Sequence, residues 1–123
     1  MKFVISMFIN PAVLEALTAE EQAAIGEGHS TFIAALKESG ELIVTQALAD
    51  PSQAVVLAAH NGQPVVTDGP FLESKEYLGG FYLIDCESKE RAIELARQIP
   101  DTRIDGLAVE VRQVMFADGV FEA

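Results

Sequence analysis

Two stretches of this chain, residues 2–9 and 77–86, are apolar at consecutive positions rather than at every second one. Successive side chains of a β-strand point to opposite faces, so a strand of this kind needs cover on both. Phe3, Ile5, Met7 and Ile9 fall on one face of the first, and Val4 and Phe8 on the other beside Ser6. Only two segments carry a long helical pattern, and two helices cover one face of a sheet. The second face therefore calls for a partner surface, which a homodimer supplies most simply.

The remaining elements follow from local signals. Asn10-Pro11 reads as an N-cap with proline at the first helical position, opening a short turn through Leu17. Thr18-Ala19-Glu20-Glu21 is a capping-box pattern that starts a helix to Ser39, with Gly40 as the residue after its end. The inward stripe of that helix is Ile25, His29, Phe32, Ile33 and Leu36. Gly26 and Gly28 weaken it by roughly 1 kcal/mol each relative to alanine, a cost that a close backbone approach, a bend or a ligand can offset. Residues 41–48 form a second strand. Asn61-Gly62 joins residues 53–60 to 63–67 as a hairpin with a type I′ turn. After residues 77–86, Ser88 caps a second helix through Ile99, which Pro100 stops, and residues 107–112 alternate as a last strand. The order strand, helix, strand, hairpin, strand, helix, strand predicts a single α+β domain over residues 1–123. It is ferredoxin-like, an antiparallel sheet with two helices on one face and an inserted hairpin.

Charge limits the partners. The formal net charge is −11 and only eight residues are Lys or Arg, a balance that argues against nucleic acid and against an anionic membrane surface. The first apolar run is too short to span a bilayer. One cysteine, Cys86, forms no internal disulfide, in keeping with a cytoplasmic location. No spaced Cys/His set, glycine-rich phosphate loop or HExxH is present, so neither a metal nor a cofactor is expected.

His29 is the first candidate for chemistry, because imidazole titrates nearest neutrality. Its structural alternative is a groove-edge histidine satisfied by a backbone carbonyl. Asp68 is the second. In Asp68-Gly69-Pro70 the carboxylate is pinned by turn chemistry, and it either shapes the loop or accepts from one imidazole nitrogen, leaving the other as a base. Glu73 and Lys75 follow, as substrate-binding groups of a cleft or as a solvated loop. Tyr82 adds a hydroxyl or simply packs. Ser30 faces away from His29, His60 belongs to the hairpin, and Cys86 reads as a small buried hydrophobe.

Asp68-Gly69-Pro70-Phe71, then Glu73-Ser74-Lys75-Glu76 and Leu78-Gly79-Gly80-Phe81-Tyr82, resembles the signature of the DGPF proteins, a branch of the YCII-related family. Leu83-Ile84-Asp85, Arg97-Gln98-Ile99-Pro100 and Val109-Glu110-Val111-Arg112 extend the resemblance over nearly the whole chain. It implies a dimeric α+β barrel and a small enzyme with a histidine–aspartate dyad. His29, eleven residues before Gly40, matches the family histidine, and Asp68 is the aspartate paired with it here. The expected function is a small-molecule enzyme of isomerase or hydrolase type. The alternative is a non-catalytic ligand-binding or regulatory protein, since the branch also resembles proteins found with extracytoplasmic-function sigma factors.

Overall fold

The computed structural model describes residues 1–71 and 76–119. Strand β1 (Lys2–Ile9) is followed by the short helix α1 (Pro11–Ala16) and the long helix α2 (Ala19–Ser39), then β2 (Leu42–Ala47). A single 3₁₀ turn (Pro51–Gln53) leads into β3 (Val55–His60) and β4 (Gln63–Asp68). Then come β5 (Tyr77–Asp85), α3 (Lys89–Ala96), a second 3₁₀ turn (Pro100–Arg103) and β6 (Ala108–Gln113). The main sheet has the order β2-β5-β1-β6 with every neighbour antiparallel, which is the expected ferredoxin-like arrangement; β3 and β4 form a separate two-stranded sheet.

Both ends of α2 are where local chemistry predicts them. Thr18 accepts from the Glu21 amide at 3.0 Å while the Glu21 carboxylate accepts from the Thr18 amide at 2.9 Å. At the other end Gly40 turns left-handed with φ 77°, and the amides of Gly40 and Glu41 return to the carbonyls of Lys37 and Leu36. A β-branched or bulky residue is disfavoured at that φ, which is why glycine stands there. Asn61 and Gly62 both have positive φ, 51° and 76°, as a type I′ hairpin requires. Helix α3 is shorter than its apolar pattern predicts: it ends at Ala96, and Ile99 instead caps the second 3₁₀ turn. That change of direction matters for the site.

The core lies between the helices and one face of the sheet. Phe3, Ile5 and Met7 of β1 and Tyr82 and Ile84 of β5 pack with Phe32 and Leu36 of α2 and with Ala92, Leu95, Ala96 and Ile99. Arg91 of α3 is tied to Glu41, just before β2, by two hydrogen bonds of 2.9 and 3.0 Å. On the reverse face Val4, Phe8, Val44, Phe81 and Leu83 are only partly buried. β5 carries a bulge opposite Met7 and Phe8, where Gly79 and Gly80 follow one another. A Cβ at Gly80 would lie 2.6 Å from the Gln46 carbonyl oxygen, so β2 reaches β5 this closely only because Gly80 lacks one. Among the described residues no helix is long and apolar enough to cross a membrane.

Candidate active site

His29 lies on the inward stripe of α2, one turn before the buried Phe32. Both of its ring nitrogens are engaged. Nδ1 is 2.7 Å from the Tyr82 hydroxyl, and Nε2 is 2.7 Å from Oδ1 of Asp101. The His29 and Tyr82 rings run parallel within 5° with centroids 6.0 Å apart, and Phe32 meets Tyr82 edge-on at 5.0 Å. Tyr82 is thus clamped from two sides.

Asp101 is brought to His29 by a backbone device. Pro100 opens the 3₁₀ turn that replaces the last turn of α3, and the Thr102 hydroxyl donates to the Ile99 carbonyl at 2.7 Å. The proline ring sits on α2 at Gly28, where a Cβ would come within 2.9 Å of Pro100 Cγ. The residue beside His29 is therefore a glycine because the turn that carries Asp101 rests there. This close approach is the compensation that the sequence called for at Gly28. Gly26, with nothing within 4 Å of its notional Cβ, has no such contact.

Asp101 is 2% exposed, whereas the His29 side chain keeps 22% of its surface open. Burial pushes the Tyr82 phenol up to about 12, aided by the charge of Asp101 and slightly opposed by the Thr45 hydroxyl. The phenol therefore keeps its proton at neutral pH and donates it to Nδ1. Nε2 then carries the imidazole proton and donates to the Asp101 carboxylate. This tautomer satisfies both ring nitrogens and the Tyr82 hydroxyl.

A pH dependence follows. The folded phenol titrates near 12 and the unfolded one near 10, so stability is fully present below pH 10 and falls as pH rises through 12. Thermal melts of the wild type should lose stability across that window, and Tyr82→Phe should lack the component. Equal alkaline slopes in the two proteins would show that Tyr82 titrates normally.

His29, Tyr82 and Asp101 line one cavity of about 370 Å³, walled chiefly by Met7, Ile9, Leu14, Ile25, Ile33 and Leu107 and passing the Gly79-Gly80 bulge. A larger depression of about 590 Å³ lies over Phe8, Pro51, Pro70, Phe71 and Leu78. Its described lining includes Asp50, Glu76 and Tyr77 but no histidine, whereas the smaller cavity brings His29, Tyr82 and Asp101 together. Among the described residues no three His, Cys, Asp or Glu side chains converge as a metal-binding set.

The expected partnership of His29 with Asp68 requires correction. Asp68 is exposed at the end of β4, paired across the small sheet with Val55, while the neighbouring Gly69 amide donates to the Ala54 carbonyl at 2.7 Å. With Tyr82 and Asp101 on its two nitrogens, His29 has none left for Asp68. The turn chemistry around Asp68 shapes the junction between the hairpin and the following loop. Tyr82, expected near the site, is in it. Glu73 and Lys75 lie outside the described residues. Asp101 was not singled out in the sequence, where it stands in a mixed-charge run with Arg103 and Asp105. The available signal was indirect: an aspartate directly after a helix-stopping proline, and a glycine directly before the histidine.

The fold and cluster define a class: a small ferredoxin-like α+β protein with a histidine held between a buried carboxylate and a tyrosine at an apolar cavity. The chain belongs to the YCII-related family, whose domain model matches residues 1–116. It is similar to uncharacterized protein R00369 of Rhizobium meliloti (strain 1021), with 32% identity over 112 residues that span 91% of this chain and 90% of that protein. A similar solved structure is 5-chloro-2-hydroxyhydroquinone dehydrochlorinase (TftG) from Burkholderia phenoliruptrix AC1100 in complex with 2,5-dihydroxybenzoquinone. It has a TM-score of 0.43 and 18% identity, covering 89% of this chain and 91% of that one.

Proposed function

We propose that this protein is a small-molecule enzyme that moves a proton with His29, in a reaction of isomerisation or hydrolysis type. The observation that carries the reading is a partly open imidazole fixed at both nitrogens in a cavity that is otherwise mostly apolar. A substrate atom giving up a proton takes the place of the Tyr82 hydroxyl at Nδ1. The resulting imidazolium keeps its Nε2–H on Asp101, whose charge stabilises it, and returns the proton to another substrate atom. Asp101 thus takes the orienting role assigned from sequence to Asp68.

A metabolite library screened by thermal shift supplies candidate substrates, since a ligand of the folded state raises apparent stability. With a turned-over hit, His29→Gln should lose about 10²- to 10⁴-fold in rate while folding normally. An unchanged rate would remove the proposal.

A second reading, ligand binding without turnover in a regulatory protein with a protein partner, draws on the same geometry. Both imidazole nitrogens are already satisfied by the protein, so the ring is not a free base at rest. It expects binding of the hit at His29 with no product formed.

Our reading also includes a cytoplasmic homodimer of the DGPF branch, joined through the partly buried reverse face of Val4, Phe8, Val44, Phe81 and Leu83. Sedimentation at micromolar concentration should return twice the chain mass; a monomer would contradict the pairing.

A further inference from the structure

We infer, resting on the acid–base reading, that the His29 cavity selects an electrically neutral, mainly apolar small molecule and turns away carboxylates, phosphates and amines. The cavity, about 370 Å³, is at the small end of the roughly 300–1,000 Å³ usual for ligand pockets, so a compact molecule fills it. No lysine or arginine is among its described lining residues. Arg103, two residues beyond Asp101, lines other depressions. An anion entering here gives up its hydration, finds no cation, and faces the carboxylate of Asp101. The chain's net charge of −11 opposes it from a distance as well.

The hydrogen-bond inventory reinforces this. The Tyr82 hydroxyl is spent on His29, the Thr45 hydroxyl donates to the Phe81 carbonyl at 2.9 Å, and the remaining polar side chain of the described lining, Gln46, offers one neutral amide. A phosphate or carboxylate needs several donors at once, whereas one hydroxyl or carbonyl needs a single exchange with Tyr82 at Nδ1. A cation fares no better. Asp101 lines the cavity but is nearly enclosed and spends Oδ1 on the imidazole, so an ammonium group must give up its hydration for a single carboxylate that is already engaged. A neutral molecule with one polar group is what the lining accommodates.

The test uses three molecules with one ring skeleton: benzyl alcohol, benzoate and benzylamine. Each is titrated into the full chain at pH 7.5, and binding is read from the imidazole nitrogen and carbon-bound proton shifts of His29. Benzyl alcohol should bind at least about tenfold more tightly than either charged relative. Ile25→Lys, on the partly exposed cavity wall and checked for folding by circular dichroism, should narrow or reverse the preference of the alcohol over benzoate. Benzoate or benzylamine binding as well as the alcohol overturns the inference, and so does a His29 that none of the three perturbs. Neither result bears on proton transfer, which is decided separately by the turnover of His29→Gln.

Discussion

Asp101→Asn is expected to lower the turnover of a substrate by about 10²- to 10⁴-fold while leaving the fold nearly as stable as the wild type. The asparagine carbonyl still accepts from His29 Nε2, so the hydrogen bond of 2.7 Å has a neutral replacement. What disappears is the negative charge opposite the imidazolium formed during reaction. Asp101→Ala should differ, because it strands a largely enclosed N–H and costs about 1–3 kcal/mol in addition to the lost rate. The pair of variants separates two roles. If Asp101 only staples the 3₁₀ turn to α2, the asparagine protein keeps its rate; if it orients and stabilises the base, rate falls where stability does not.

The second large effect is expected at Gly28, with Gly26 as its control. Alanine is favoured over glycine inside a helix by about 1 kcal/mol. At Gly26 nothing opposes that gain, and Gly26→Ala should raise the urea midpoint accordingly. At Gly28 the new Cβ meets the Pro100 ring at 2.9 Å, and a proline ring has no flexible end to swing aside. Overpacking of this kind costs about 1–3 kcal/mol, so the clash outweighs the propensity and Gly28→Ala should be destabilised. Gly28→Leu should be worse. Both move the turn carrying Asp101 off His29, so their activity should fall further than their stability explains. A Gly28→Ala protein as stable as Gly26→Ala would show that the close approach does not constrain the turn.

These two glycines illustrate what the chain discloses before it is folded. Periodicity and capping locate the elements: the Thr18–Glu21 box, Gly40 after α2 and Asn61-Gly62 each act over a few residues, and their geometry follows from that short range. The two-faced apolar strands likewise announce the sheet centre. His29 is legible because a histidine on an apolar stripe breaks the pattern around it. Its carboxylate is not, because Asp101 comes from 72 positions away. Apart from the proline before it, nothing in its neighbourhood distinguishes it from solvated charges, and the 3₁₀ turn that follows the shortened α3 carries it into the site. Asp68 attracts notice for the opposite reason: strong local turn chemistry advertises a fixed carboxylate, but fixing its backbone says nothing of where the hairpin lies. Gly28 carries part of the missing information, since the Pro100 ring rests on it, but Gly26 is an equally costly glycine with nothing near it, so a helix glycine alone does not disclose the contact.

In the proposed mechanism Asp101 and Tyr82 hold His29 in one tautomer, Nε2 protonated and Nδ1 accepting, ready to take a proton at Nδ1. Long-range nitrogen–proton correlation spectra of the His29 imidazole measure this without a substrate. The spectra should show an acceptor-type Nδ1 and a protonated Nε2 in the wild type, a shift of the Nδ1 signal in Tyr82→Phe, and loss of the fixed tautomer in Asp101→Ala. A proton found on Nδ1 of the neutral ring, or a tautomer mixture indifferent to Asp101, would contradict it.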